Sequence, residues 1–255
     1  MKEDVSLDDT APRRASFPTT HWSVVVNARA GSETEARAAL ETLCRQYWYP
    51  LYSFIRRQGR THHEAQDYTQ EFLARLLASG GIAVARPDRG RFRSFLLTAL
   101  RNFMANEWHR ANAAKRGGGV APLSLDLRDA QDRFAHEPVD AELSPEKAFD
   151  RTWALGMIDR AVSTLRQEYE KSGRGELFTA LAVFVWGNGT AEALNGPAAR
   201  LGLTPHAFSV ALHRLRQRIG QRLRVAVAET VASETEVDEE LRHLIAAVSA
   251  HSVAR

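Results

Sequence analysis

Apolar residues recur every three or four positions through most of the chain, the spacing of one helical face, whereas the alternation of a strand is scarce. The best strand-like run, residues 22–26, is short and isolated. Over residues 33–58, Ala36, Leu40, Leu43, Tyr47, Leu51, Phe54 and Ile55 fall near one face, and Pro50 predicts a kink or break. Thr61 with Glu64 three residues later predicts a capping box opening a helix through AQDYTQEFLARLLAS, which stops at Gly80-Gly81. After a loop holding Pro87 and Gly90, a long helical pattern runs to the glycines at 117–119, with Phe92, Phe95, Leu96, Leu100 and Phe103 as its core face.

Residues 117–145 hold three glycines, Pro122, Pro138 and Pro145, and little periodicity, as expected of a linker. Ser144 as cap and Pro145 as first helical residue predict a new helix to about residue 170. A further helix is expected over 176–186, then two with a tight break between them over 192–228. In the tail, Val237, Leu241, Leu244, Ile245 and Val248 share one stripe, so this short amphipathic helix needs a surface to cover. The expected fold is all-α: two helical domains joined by a flexible linker, plus a C-terminal amphipathic helix. The expected division is a disordered N-terminus (1–16), a helical bundle (17–116), the linker (117–143), a second helical domain (144–228) and an acidic extension (229–255).

The composition of the 255 residues, 44% hydrophobic and 25% charged, is that of an ordinary globular protein. The longest apolar stretch, 177–186, is too short to span a bilayer, so no membrane insertion is expected. The acidic N-terminus lacks the apolar segment of a secretory signal. Cys44 is the single cysteine, leaving no internal disulfide and no cysteine-based zinc site, and a cytoplasmic location is the default. No cofactor is expected. The net charge of +3 hides segregation: +6 over 1–120, −4 over 121–185, +5 over 186–228 and −4 over 229–255. Two basic blocks around an acidic connector suit two anchor points on a polyanion, although two solvated helical faces would give the same sums.

The segment GPAARLGLTPHAFSVALHRLRQRI is the most specific pattern in the C-terminal half. Pro197 is expected to start a short helix, Ala198 to allow a close crossing, Gly202 to turn the chain, and Thr204-Pro205 to start the next helix. Leu201, Leu203, Phe208, Leu212 and Leu215 would bury together. That leaves His206, Ser209, His213, Arg214, Arg216 and Arg218 outside, the first two placed for base edges and the later arginines for phosphates. An ordinary helical hairpin with an arginine-rich face has the same pattern, but the absence of acids between Glu192 and Glu229 favours nucleic acid. In the N-terminal half, Arg86, Arg89, Arg91, Arg93, Arg101, Arg110, Lys115 and Arg116 face only Asp88 and Glu107. Trp108, among Asn102, Asn106, His109 and Arg110, fits either a base-stacking group in a positive channel or a Trp capping a bundle.

Together these segments resemble bacterial RNA polymerase sigma factors of the extracytoplasmic-function type, in the sigma-70 superfamily, over residues 17–116 and 144–228. The run from Asp67 through Gln70, Glu71 and Phe72 to Arg75 resembles region 2.2, which in the family docks on the polymerase clamp. Residues 92–102 resemble region 2.3 and residues 103–110 region 2.4, which open the −10 element and capture a flipped base. The helix-turn-helix resembles region 4.2, which reads the −35 element. TTHWSVV and YWYPLYSFIRR are similar to a subgroup with long C-terminal extensions. The chain departs from the family at Ser209, where Lys or Arg is commoner, at Ala211, at Asn106, in place of a usual Asp, and in a longer, irregular region 4.1.

The resemblance implies a non-enzymatic factor whose partners are core RNA polymerase and promoter DNA, with an anti-sigma or other regulator as a further candidate. It implies polymerase contacts at Asp67, Gln70, Glu71 and Arg75. DNA contacts are implied at Arg93, Arg101, Asn102, Asn106, Trp108, His109, Arg110, Lys115 and Arg116, and again at Thr204, His206, Ser209, His213, Arg214, Arg216 and Arg218. One rival is a stand-alone helix-turn-helix regulator with an N-terminal sensor or dimerisation domain. A second is a metal-dependent helical enzyme using His62, His63, Glu64 and Asp67, of which His63 and Asp67 stand one turn apart; no second ligand cluster supports it.

Overall fold

The computed structural model describes residues 33–78, 91–113, 134–135, 143–187, 190–231 and 233–249, with 33, 36, 108–113 and 191 as backbone only. Among them lie eight helices and no strand, so the fold is all-α. The helices are α1 (Glu33–Arg57), α2 (His62–Ala78), α3 (Phe92–Ala113) and α4 (Pro145–Lys171), then α5 (Gly175–Ala182), α6 (Ala191–Arg200), α7 (Pro205–Ala228) and α8 (Glu234–Ser249). The expectations for residues 1–16, 22–26, the Pro87 loop and 117–133 lie outside the described residues.

Local chemistry explains most boundaries. The capping box is formed: the Thr61 N–H donates to Glu64 Oε2 at 2.8 Å, and the Glu64 N–H donates to Thr61 Oγ1 at 3.3 Å. Thr61 thereby holds the Glu64 carboxyl below the usual carboxylate range, through its backbone N–H first and its hydroxyl second. Ser144 caps α4 on the Lys147 N–H, with Pro145 in the first turn. Thr204 caps α7 on the Ala207 N–H at 3.1 Å. Gly202 turns the chain at φ +66°, a conformation that a side chain would strain.

Three expectations are corrected. Of the kink or break expected at Pro50, the break does not occur: α1 runs on to Arg57. An interior proline costs about 3 kcal/mol, but Tyr47, Trp48, Leu51, Tyr52, Phe54 and Ile55 around it are all buried. At about 1.5–3 kcal/mol for each large apolar side chain buried, that packing wins. Pro197 lies inside α6 and does not start it; the helix begins a turn and a half earlier, where Thr190 caps it on the Ala193 N–H at 3.3 Å. The helix expected over 176–186 stops at Ala182. Beyond it the Arg216 guanidinium takes the carbonyls of Phe184 (2.7 Å), Val185 (3.1 Å) and Gly187, stabilising a turn instead.

The apolar side chains form two clusters. The second gathers Leu165, Tyr169, Phe178, Leu181, Leu194, Ala198, Phe208, Leu212, Leu215 and Ile219, from α4 to α7. It contains the helix-turn-helix core expected from Phe208, Leu212 and Leu215, with Leu201 and Leu203 half-buried at its edge. The first joins α1, α2 and α3, and it does not stop at residue 144. Phe149, Trp153 and Met157 of α4, Val227 at the end of α7 and Val237 and Leu244 of α8 enter the same core. Tyr47 stacks on Trp153, ring centres 6.2 Å apart and planes 17° off parallel, and meets Phe92 edge-on at 5.2 Å. The surface sought for the amphipathic tail is therefore the junction of α3, α4 and α7. Phe134, within the expected linker, meets Tyr52 edge-on and lies 4.7 Å beneath the Arg56 guanidinium.

Candidate polymerase and nucleic-acid interfaces

α2 presents the first candidate interface. Its buried side is Ala65, Thr69, Phe72, Leu73, Ala74 and Leu76. That puts Asp67 on the exposed side and Gln70, Glu71 and Arg75 at the half-buried margin. Arg75 ion-pairs with Glu71 one turn before it and with Glu107 of α3 at 2.6 Å, and its guanidinium lies 5.1 Å from the Phe103 ring centre. The α2–α3 angle is thus tied by charge as well as by the Phe72–Phe103 contact. Asp67 and Gln70 offer an acid and an amide outward from a firmly held helix.

α3 presents the second. Phe92, Leu96, Leu100 and Phe103 are buried and Phe95 is half-buried, as a core face requires. Arg101, Asn102 and Asn106 are exposed on the other side, in the row expected to meet DNA. Trp108, His109 and Arg110 continue α3, and Lys115 and Arg116 lie outside the described residues. Arg101 ion-pairs with Glu146 in the first turn of α4. The Glu146 carboxyl is held below its ordinary range by its own backbone N–H at the helix start and then by Arg101.

Arg93 is placed differently from the outward row. It is only 9% exposed, donating to Glu240 Oε1 of α8 at 2.6 Å and to Asp150 Oδ1 of α4 at 2.8 Å. Burial works against its charge, but the Glu240 hydrogen bond and the charges of Glu240 and Asp150 overcome this and raise its pKa. Beside it Arg91 reaches Glu239 at 2.8 Å and Glu240 at 3.0 Å.

The third candidate interface is the helix-turn-helix, α6 and α7. Thr204, His206, Ser209, His213, Arg214 and Arg216 are exposed and Arg218 is half-buried. Their surroundings differ. His206, Ser209, His213 and Arg214 lie along the outer face of the first turns of α7. Arg216 is turned toward the carbonyls of the 183–187 turn, where Val183 and Trp186 are 77% and 65% exposed. Arg218 and Arg222 share the Glu168 carboxylate of α4.

Sequence reasoning missed these internal partners. Glu240 carried a signal: it falls between Val237 and Leu244 on the apolar stripe, so a buried acid there demanded a cation. The metal-site rival gains nothing from the geometry. Glu64 is committed to Thr61, and His62 Nδ1 lies 2.7 Å from the Tyr52 hydroxyl. Among the described residues no three His, Cys, Asp or Glu side chains converge as metal ligands, and no helix is long and apolar enough to cross a membrane.

Residues 43–114 match the family model for Sigma-70 region 2. No curated protein and no solved structure matches the chain. The matched stretch begins inside α1, takes in all of α2 and ends just beyond α3, the three helices that carry the outward Asp67–Gln70 face and the Arg101–Asn102–Asn106 row. That stretch is thus similar to region 2 of the sigma-70 family of transcription initiation factors.

Proposed function

We propose that the protein is an extracytoplasmic-function type sigma factor that works wholly by adaptation. α2 docks on core RNA polymerase through Asp67, Gln70, Glu71 and Arg75. The exposed row of α3 then lies along the −10 element, where Asn102 and Asn106 meet base edges and Arg101 and Arg110 meet phosphates, with Trp108 as a stacking surface. α7 enters the major groove of the −35 element with His206 and Ser209 foremost. Capturing unstacked bases supplies a few kcal/mol toward strand opening. The observation that carries this reading is the region 2 match, which falls on the helices bearing the docking pattern and the basic amide row.

A second reading, a stand-alone helix-turn-helix regulator, is favoured by the well-formed α6–α7 unit with its Thr204 cap and Gly202 turn. Binding to duplex promoter DNA with and without core polymerase separates the two. The sigma reading expects sequence-specific binding only with core present. Tight specific binding by the isolated chain, together with no affinity for core, would overturn it.

A further inference from the structure

Helix α8 is acidic in its first half, with Glu234, Glu236, Asp238, Glu239 and Glu240. Its carboxylates fall on arginines from both halves of the molecule. Glu239 and Glu240 take Arg91, Glu240 also takes Arg93, and Asp238 takes Arg224 of α7. The Phe92 N–H donates to the Thr230 carbonyl at 3.4 Å, so the chain entering α8 also lies against the start of α3. Two arginines gripped by paired carboxylate oxygens are arranged much as they would be on phosphates.

On its apolar side the helix packs by a short stripe. Val237 and Leu244 are its buried apolar anchors, Leu241 and Val248 are half-buried, and Ile245 is 59% exposed. Between the two anchors stands Glu240, fully buried. A buried ion pair contributes little more to stability than an apolar residue of similar size. An apolar residue would fill this place in the stripe as well, so the acid is there for Arg91 and Arg93, the cations a polyanion would compete for.

We infer that α8 is a displaceable acidic clamp, in which Glu239 and Glu240 occupy Arg91 and Arg93 in the place of nucleic-acid phosphates until DNA or polymerase releases the helix. This rests on the proposed function in taking the start of α3 as facing DNA. The clamp leaves the Asp67–Gln70 face of α2 exposed, so polymerase docking does not require release. Freed, Arg91 adds a phosphate contact beside the start of α3, and Arg93 a second once it also leaves Asp150 of α4.

The test uses the full chain without polymerase and a fluorescent single-stranded oligonucleotide of random sequence. Three variants are compared: Glu239→Gln with Glu240→Gln, which removes the charge and keeps the shape; Leu244→Ala, which loosens the apolar side and leaves every charge; and a control with Glu170→Gln and Glu176→Gln, matched in net charge to the first. The clamp predicts that the first binds at least about threefold tighter than the control, with a salt slope steeper by about 0.7 for each arginine freed. Leu244→Ala should also bind tighter than the wild-type chain. If the Gln pair binds no tighter than the control and Leu244→Ala no tighter than wild type, whether weakly or not at all, the clamp is overturned. Because polymerase is absent, that result leaves the sigma reading standing, which is tested separately by binding to core and by initiation.

Discussion

Trp153→Ala is expected to destabilise the folded protein by about 3–5 kcal/mol, the usual cost of emptying a buried Trp site. The side chain is 1% exposed, stacks on Tyr47 and lies 5.7 Å from the Arg93 guanidinium. At roughly 2–4 °C per kcal/mol for a chain of this size, the melting temperature should fall by about 10 °C or more. The same helix carries Leu165 and Tyr169 into the second cluster, so the fall should appear in one transition, whether followed by the tryptophans or by helix content. Two separate transitions, with only one displaced, would show that α4 does not join the two cores.

The second large effect concerns α2. Reversing Asp67 to Arg together with Gln70→Ala should weaken binding to core polymerase at least tenfold, about 1.4 kcal/mol. Asp67 is exposed and Gln70 half-buried on the side of α2 away from its core, so the melting temperature should hardly move. The neighbouring pair is a less clean probe. Arg75 bridges Glu71 and Glu107, so replacing either partner disturbs the α2–α3 angle as well as the docking face. Surface plasmon resonance against core enzyme, with unfolding measured in parallel, separates the two effects; unchanged affinity would remove the docking role from this face.

The helices and their local boundaries were legible because their causes are local. Apolar spacing marked Leu40, Leu43, Tyr47 and Leu51 as one face, and the caps at Thr61, Ser144 and Thr204 stand where the residue types placed them. Where tertiary packing outweighed a local preference, the reading failed: α1 runs through Pro50 because the residues around it are buried. α6 starts at its Thr190 cap and carries Pro197 inside, and the turn after α5 is held by Arg216 from a helix some thirty residues further on.

The arginines show the same limit. Composition marked Arg93, Arg101, Arg216 and Arg218 as cations available to DNA, but no local pattern reveals that Arg93 meets an acid 147 residues away or that Arg218 shares Glu168 with Arg222. The exposed row of α3 and the outer face of α7 were easier to read, since polar residues opposite an apolar stripe must face outward. The tail was half legible: its stripe announced a partner surface, but Glu240 within that stripe went unread, and which surface and which cation it meets depend on how α3, α4 and α7 meet.

The most direct test of the central claim is transcription in vitro from a genomic fragment library with core polymerase and the purified chain. Sigma-factor function predicts new start sites that share two sequence elements about two helical turns apart, lost when Asp67 and Gln70 are altered as above. A chain that associates with core yet yields no start site above core alone, or one that never associates with core, would contradict it.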